Sequence, residues 1–273
     1  PTNRTLYALL PEGGTPAMNG AHLQHETGPI QKVEFSNGLT LLLKEDHRLP
    51  FVQLRGMFQG GVLAEKMGNS GITQLMAKLL VKGTAKRTGQ QIAEQIENVG
   101  GGIDAYGGNN SFGISAEVMS EDAALGVELL ADVILNPSFP AEALSRQREV
   151  QLAGIRAQDD KLLQKTFSLM RETLFGAHGY GLNSLGTQES VEALAADDLR
   201  AFHAQLAVPN NAVIAVFGDM DSAQVRADLE TAFGLWKRGG DYQVPKLLAG
   251  TQGKRRVADQ KDKEQAVAVL GFH

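Results

Sequence analysis

The feature that most constrains this chain is where its strand-like and helical runs fall. The strand-like runs come in hairpins, and the helical runs are grouped between them. Gln31 to Phe35 and Leu39 to Asp46 are apolar-rich and separated by Ser36-Asn37-Gly38, where Asn-Gly readily supplies the positive φ of a tight turn. Phe51 to Gln59 is a third strand candidate, ending at Gly60-Gly61. Ile103 to Tyr106 and Phe112 to Met119 form another pair across Gly107-Gly108-Asn109-Asn110, and Asn211 to Gly218 is a single buried strand. Helical spacing covers Ile72 to Val81, Thr88 to Val99, Glu121 to Leu135, Ala141 to Gln158, Leu162 to Phe175, Ala196 to Leu206 and Ser222 to Phe233. Asn69 or Ser70 is placed to cap the first of these helices, and Asn136-Pro137 and Phe139-Pro140 punctuate the middle of the series. Locally paired strands with helices grouped between them predict an α+β fold, a mostly antiparallel sheet covered by a layer of helices, rather than a doubly wound parallel sheet.

Composition narrows the function. A formal charge of −5 over 273 residues offers no basic surface of the kind nucleic acid attracts. No apolar run approaches the roughly 20 residues needed to span a bilayer, so neither nucleic-acid binding nor membrane insertion is expected. With no cysteine, disulfides, thiolate nucleophiles and Cys-ligated metals are excluded. Glycines 100–102 and 107–108 lack the G-x-G-x-x-G or GK[ST] frame of phosphate loops and read as turns. No G-x-S-x-G frame supports a serine hydrolase. His22 and His25 lie in a Gly- and Pro-containing stretch without a third ligand nearby, His47 sits in a charged turn, and His178 and His203 are isolated. Structural or solvated roles are expected for all five.

Residues 71–84, GITQLMAKLLVKGT, resemble the frame of the inverted zinc motif H-x-x-E-H in the pitrilysin/insulinase family of metallopeptidases. Gly71 stands where a glycine precedes that motif, and Lys82-Gly83-Thr84 where a Lys-Gly-Thr follows it. The resemblance runs from about Val33 to Trp236. It includes Asn37-Gly38-Leu39, Gly60-Gly61, Val99-Gly100-Gly101 with Asp104-Ala105, Asn136-Pro137 with Phe139, and Arg148-Glu149-Val150 with Ile155-Arg156. Further on it includes Leu185-Gly186-Thr187 with Glu189-Ser190-Val191, and Asn210-Asn211 through Gly218-Asp219. It implies domains paired into halves that close around a peptide, with zinc in the first domain of the active half. On that reading residues 1–11 are the last strand of a preceding domain and 12–30 a linker. Residues 31–240 form the peptidase-like domain, 241–263 a connector and 264–273 the first strand of a following domain. The chain is then expected to be an excised fragment, the first domain of a second half. Bacterial two-half members of the family are often extracytoplasmic, which leans the expected location that way.

The motif positions themselves are changed. Gln74, Ala77 and Lys78 stand at the two histidine positions and the glutamate position. Gln74 offers a neutral amide, Lys78 places an ammonium against a dication, and Ala77 cannot deprotonate a bound water. The resemblance puts the third ligand and its companion glutamate at Gly154 and Gln147, with Glu149 the nearest surviving carboxylate, either facing solvent on its helix or pairing with Lys78. No cofactor is therefore expected in this segment, and zinc is expected in a catalytic partner domain, on the same chain or another. In active members the strand matching Ile103–Tyr106 is a sheet edge to which extended peptide can add, making Asp104, Ala105 and Tyr106 candidate substrate contacts. The expected function is the non-catalytic half of a zinc endopeptidase. The alternative is a scaffold subunit of the same fold without proteolysis, as the respiratory-complex core subunits of the family exemplify.

Overall fold

The computed structural model describes residues 29–245, 255–260, 262 and 264–272. The strand expected over 5–11, and His22 and His25, lie outside the described residues. Six strands form one sheet: β1 Gln31–Glu34, β2 Thr40–Glu45, β3 Phe51–Gln59, β4 Gly102–Gly107, β5 Ser111–Met119 and β6 Ala212–Gly218. Their spatial order is β1-β2-β6-β3-β5-β4. Every neighbouring pair is antiparallel except β2 with β6, which is parallel. A strand from near the chain's end therefore lies mid-sheet, between two strands from its beginning.

Eight helices accompany the sheet among the described residues: α1 Ile72–Leu80, α2 Gly89–Glu97, α3 Ala123–Leu135, α4 Ala141–Asp160, α5 Leu162–Phe175, α6 Gln188–Ala193, α7 Ala196–Leu206 and α8 Ser222–Phe233. The α+β class and the predicted elements stand, with shifts at the ends. The second helix stops at Glu97 rather than Val99, because Gly100 takes φ 68° and turns the chain back into β4. A single 3-10 turn, Ser120–Asp122, precedes α3. The Leu185–Val191 turn holds a short helix, α6, capped by Thr187 and Ser190 in a reciprocal box. Residues 264–272 show no strand pairing; there the chain runs with Gly271 so close to Met170 and Leu174 of α5 that a Cβ would meet them at 2.6 Å.

Alternation along the strands makes the sheet two-faced. Val52, Leu54 and Phe58 of β3, Phe112, Ile114, Ala116 and Val118 of β5, and Ile214 and Val216 of β6 are buried. They pack under α1, α2, α3 and α8. Phe58 and Phe112, paired across β3 and β5, stack with centroids 4.9 Å apart in that core. The opposite face has no helix over it among the described residues. Its rows run across the strands, one through Tyr106, Gly113, Met57, Val213 and Thr40, the next through Asp104, Ser115, Arg55, Ala215 and Leu42.

Helix α1 lies between the sheet and an outer group of helices, against β4 and β5 on one side and α4 and α7 on the other. That sandwiching explains its composition. Ile72, Thr73, Leu75, Met76, Ala77, Leu79 and Leu80 are all buried, which leaves Gln74 and Lys78, one turn apart, as its only side chains with appreciable exposure.

Candidate functional site

The start of α1 is held by a residue the sequence did not single out. Glu65, buried in the turn before the helix, accepts from the backbone N–H of Gly71 at 2.8 Å and of Thr73 at 3.0 Å. It does the work expected of Asn69 or Ser70, neither of which caps α1; Asn69 accepts instead from Lys66 N–H at 2.7 Å. A carboxylate there satisfies N–H groups that have no intrahelical partner and opposes the helix dipole. Burial dominates its ionisation and pushes the carboxyl up to about 7, against the hydrogen bonds from Thr73 and Gly71. The position before the helix must be glycine. Gly71 has φ 89°, and a Cβ on it would stand 2.5 Å from the Leu185 carbonyl and 2.8 Å from the Gln151 amide. That amide ties three elements together, donating to Gly71 O at 3.0 Å and Leu185 O at 2.8 Å.

The far end of α1 is fixed as firmly. Thr84 Oγ1 donates to Asp132 Oδ2 at 2.7 Å and accepts from the N–H groups of Lys86 and Arg87. Arg87 Nη1 reaches the same carboxylate oxygen at 2.8 Å, Asn136 Nδ2 reaches its partner oxygen at 3.0 Å, and Arg87 also pairs with Glu128. Burial raises the Asp132 carboxyl, but the hydrogen bonds from Thr84, Arg87 and Asn136 outweigh it and hold the group below the usual carboxylate range.

Between these two anchors lie the positions where the sequence locates the lost zinc chemistry. Gln74 Nε2 donates to Gly107 O at 2.9 Å. Lys78 Nζ lies 3.4 Å from Ala105 O and 3.5 Å from Asp104 Oδ1. Ala77 is wholly buried. Gly154 is half-buried on α4 beside a cleft also lined by Phe167, Arg171 and Leu185, where a Cβ would touch only Leu185 Cδ1 at 3.5 Å. Gln147 is half-buried two turns earlier on the same helix, with the Gln151 clamp between the two. The pairing of Lys78 with Glu149 is not formed, because Glu149 is exposed on α4 away from the buried Gln151, while Lys78 is drawn to β4. An amide donor, an ammonium, a methyl and a bare helix position do not suit a zinc ion. Among the described residues no group of three His, Cys, Asp or Glu side chains could hold a metal.

The histidines within the described residues are held elsewhere. His47 Nδ1 lies 2.6 Å from Asp219 Oδ1, and Ser120 Oγ donates to the other oxygen of Asp219 at 2.9 Å. The carboxylate sits between the hydroxyl and the imidazole, so this is not a nucleophile–base pair. Its hydrogen bond to Asp219 raises the His47 pKa. His203 packs edge-on to Phe139 with centroids 6.0 Å apart, and its enclosure brings the imidazole down to about 4, leaving it neutral at pH 7. His178 is exposed at the rim of a cleft shared with Glu65 and Tyr242.

Residues 40–188 match the family described as Insulinase (Peptidase family M16). The chain belongs to that family. Residues 193–273 match a second description, Peptidase M16 inactive domain. The boundary between the two matches falls within α6, yet β6, from the second, is hydrogen-bonded between β2 and β3, from the first. The insulinase-family relatives include a mitochondrial-processing peptidase subunit beta from Blastocladiella emersonii, 27% identical over 88% of this chain and 52% of that protein. An uncharacterised zinc protease from Mycobacterium leprae is 31% identical over 74% of this chain and 46% of that protein. Among solved structures, a peptidase M16 inactive domain from Pseudomonas fluorescens superposes with a TM-score of 0.75 at 25% identity, covering 81% of this chain and 54% of the other. Pitrilysin superposes with a TM-score of 0.72 at 17% identity, over 83% of this chain and 25% of that structure, which bears on the fold alone. The chain spans about half the length of the curated relatives it matches.

Proposed function

We propose that this insulinase-family chain is the non-catalytic half of a zinc metallopeptidase. Its open sheet face walls a substrate chamber, and hydrolysis is done by a zinc-bearing domain on the same polypeptide or on a partner chain. The observation that carries the reading is the fate of the motif stripe on α1. Gln74 and Lys78 turn onto β4 instead of converging with Gly154, and Ala77 packs into the core, so nothing activates a water. Around that stripe the peptidase-like frame is intact. The wall suits a peptide, since the rows through Tyr106–Met57–Val213 and Asp104–Arg55–Ala215 offer apolar, basic and acidic groups side by side on a rigid surface.

The test is zinc content and peptide cleavage of this chain, alone and with its neighbouring sequence restored. Neither is expected alone, and both are expected in the longer protein. Stoichiometric zinc with cleavage by the isolated chain overturns the reading. Absence of activity in both forms transfers the assignment to a scaffold without proteolysis.

A further inference from the structure

The edge of the sheet at β4 is where an extended peptide would add as a further strand, and its outward-facing groups can be identified. The N–H of Gly108 donates to the carbonyl of Ser111 at 2.8 Å, which makes that pair hydrogen-bonded. Hydrogen-bonded pairs recur every second residue along an antiparallel ladder, so Tyr106/Gly113, Asp104/Ser115 and Gly102/Glu117 are the others. Ile103, Ala105 and Gly107 therefore present their N–H and C=O groups outward. Two of those three carbonyls, Ala105 O and Gly107 O, are the acceptors taken by Lys78 and Gln74.

We infer that Gln74 and Lys78 plug the β4 edge, closing it to strand addition by a peptide. An incoming strand gains its affinity from alternating main-chain bonds in both directions, and it must supply N–H donors to the outward carbonyls. Here those carbonyls already hold donors delivered from the same chain. The Lys78 ammonium also reaches round the edge to Asp104, across the path the incoming backbone would follow. Gly107 is held from behind as well. A Cβ on it would lie 3.1 Å from both the carbonyl oxygen and the Cγ2 of Thr73, so β4 has no room to retreat toward α1. The device is an intramolecular cover on an exposed edge, of the kind sheets need to avoid unwanted pairing. Its consequence is that Asp104–Ala105–Tyr106 does not take up peptide as an added strand. The inference concerns this chain's own edge and does not depend on whether a catalytic half exists.

The probe is a photoreactive peptide of about a dozen alternating threonine and valine residues, with labelled sites mapped by mass spectrometry. On the unaltered chain, labelling of Ile103, Ala105 and Gly107, the β4 residues whose main chain faces the edge, is expected to be absent; strong labelling at these three overturns the inference without recourse to any variant. In the double variant Gln74→Met, Lys78→Met the apolar stems remain over β4 but the donors are gone. Labelling of β4 is expected to rise about tenfold, the scale of one or two released hydrogen bonds. A double variant with native circular dichroism and no gain at β4 overturns the inference. Should that variant fail to fold, the single substitutions carry the test, each with a partial gain, larger for Gln74→Met because its contact is the shorter; no gain in either counts against the plug.

Discussion

Two sets of residues around α1 behave in opposite ways. The frame, made of Glu65 and Gln151 at one end and Thr84, Arg87 and Asp132 at the other, is buried and densely hydrogen-bonded. The stripe between, with Gln74 and Lys78, together with Gly154 opposite on α4, is exposed or half-exposed and makes few contacts. The residues that hold the peptidase fold are thus separate from the residues that would perform its chemistry. A copy of such a domain can lose the second set without disturbing the first, because zinc ligands here would not be part of the packed core. Lys82-Gly83-Thr84 illustrates the point. A motif that travels with the zinc helix is tied, through Thr84, to Asp132 and not to the site.

The comparison is sharpened by substitutions on each side. Asp132→Ala should have the largest effect, about 3 kcal/mol in urea unfolding, because it removes the buried acceptor shared by Thr84, Arg87 and Asn136 and leaves Arg87 only its outer partners Glu128 and Gln95. Glu65→Ala should cost about 2–3 kcal/mol by exposing two buried N–H groups to no acceptor. A loss below about 1 kcal/mol at either site would break the division between frame and stripe.

Glu65 also gives the frame a pH signature. An acid whose folded-state pKa lies above its unfolded value binds more protons when folded, so its contribution to stability is greatest below about 4.5 and declines as pH rises through about 7. Unfolding midpoints of the unaltered chain should fall across that window relative to Glu65→Gln, which lacks the titration. Parallel profiles would remove the buried carboxyl from the account.

On the stripe the effects should be small. Gly154→Ala should raise stability by about 0.5–1 kcal/mol, since a helix-interior glycine is replaced where a methyl meets only Leu185. Lys78→Ala should change it by about 0.5 kcal/mol at most, as expected for a half-exposed ammonium with long contacts. Thermal or urea midpoints measure both, and a large loss at either position would show that the stripe carries the fold as well.

The α+β class, the hairpins and nearly all the helices were legible from the spacing of apolar residues and from Gly and Pro punctuation, which are local. What Gln74, Ala77, Lys78 and Gly154 can donate was legible too, because residue type alone tells it. The partner of Lys78 was not legible. From the sequence Glu149, two residues after Gln147, could face solvent or meet Lys78; helical rotation puts it on the exposed side of α4, while Asp104 and the Ala105 carbonyl come to Lys78 through the packing of α1 on β4. The cap of α1 was hidden for a similar reason. Glu65 precedes the helix by a 3-10 turn whose path folds its carboxylate back onto Gly71 and Thr73, whereas Asn69 and Ser70 are nearer in sequence but turned elsewhere. The insertion of β6 between β2 and β3 is likewise invisible to local pattern, since a buried strand reads the same wherever it pairs. What the sequence determined by itself was the set of elements and the chemistry each side chain could offer, because periodicity and functional groups belong to the chain. Which groups meet, and therefore that Gln74 and Lys78 reach the outward carbonyls of β4, was decided only by the tertiary structure, because side-chain reach is a few ångströms and only packing brings residues tens of positions apart within it.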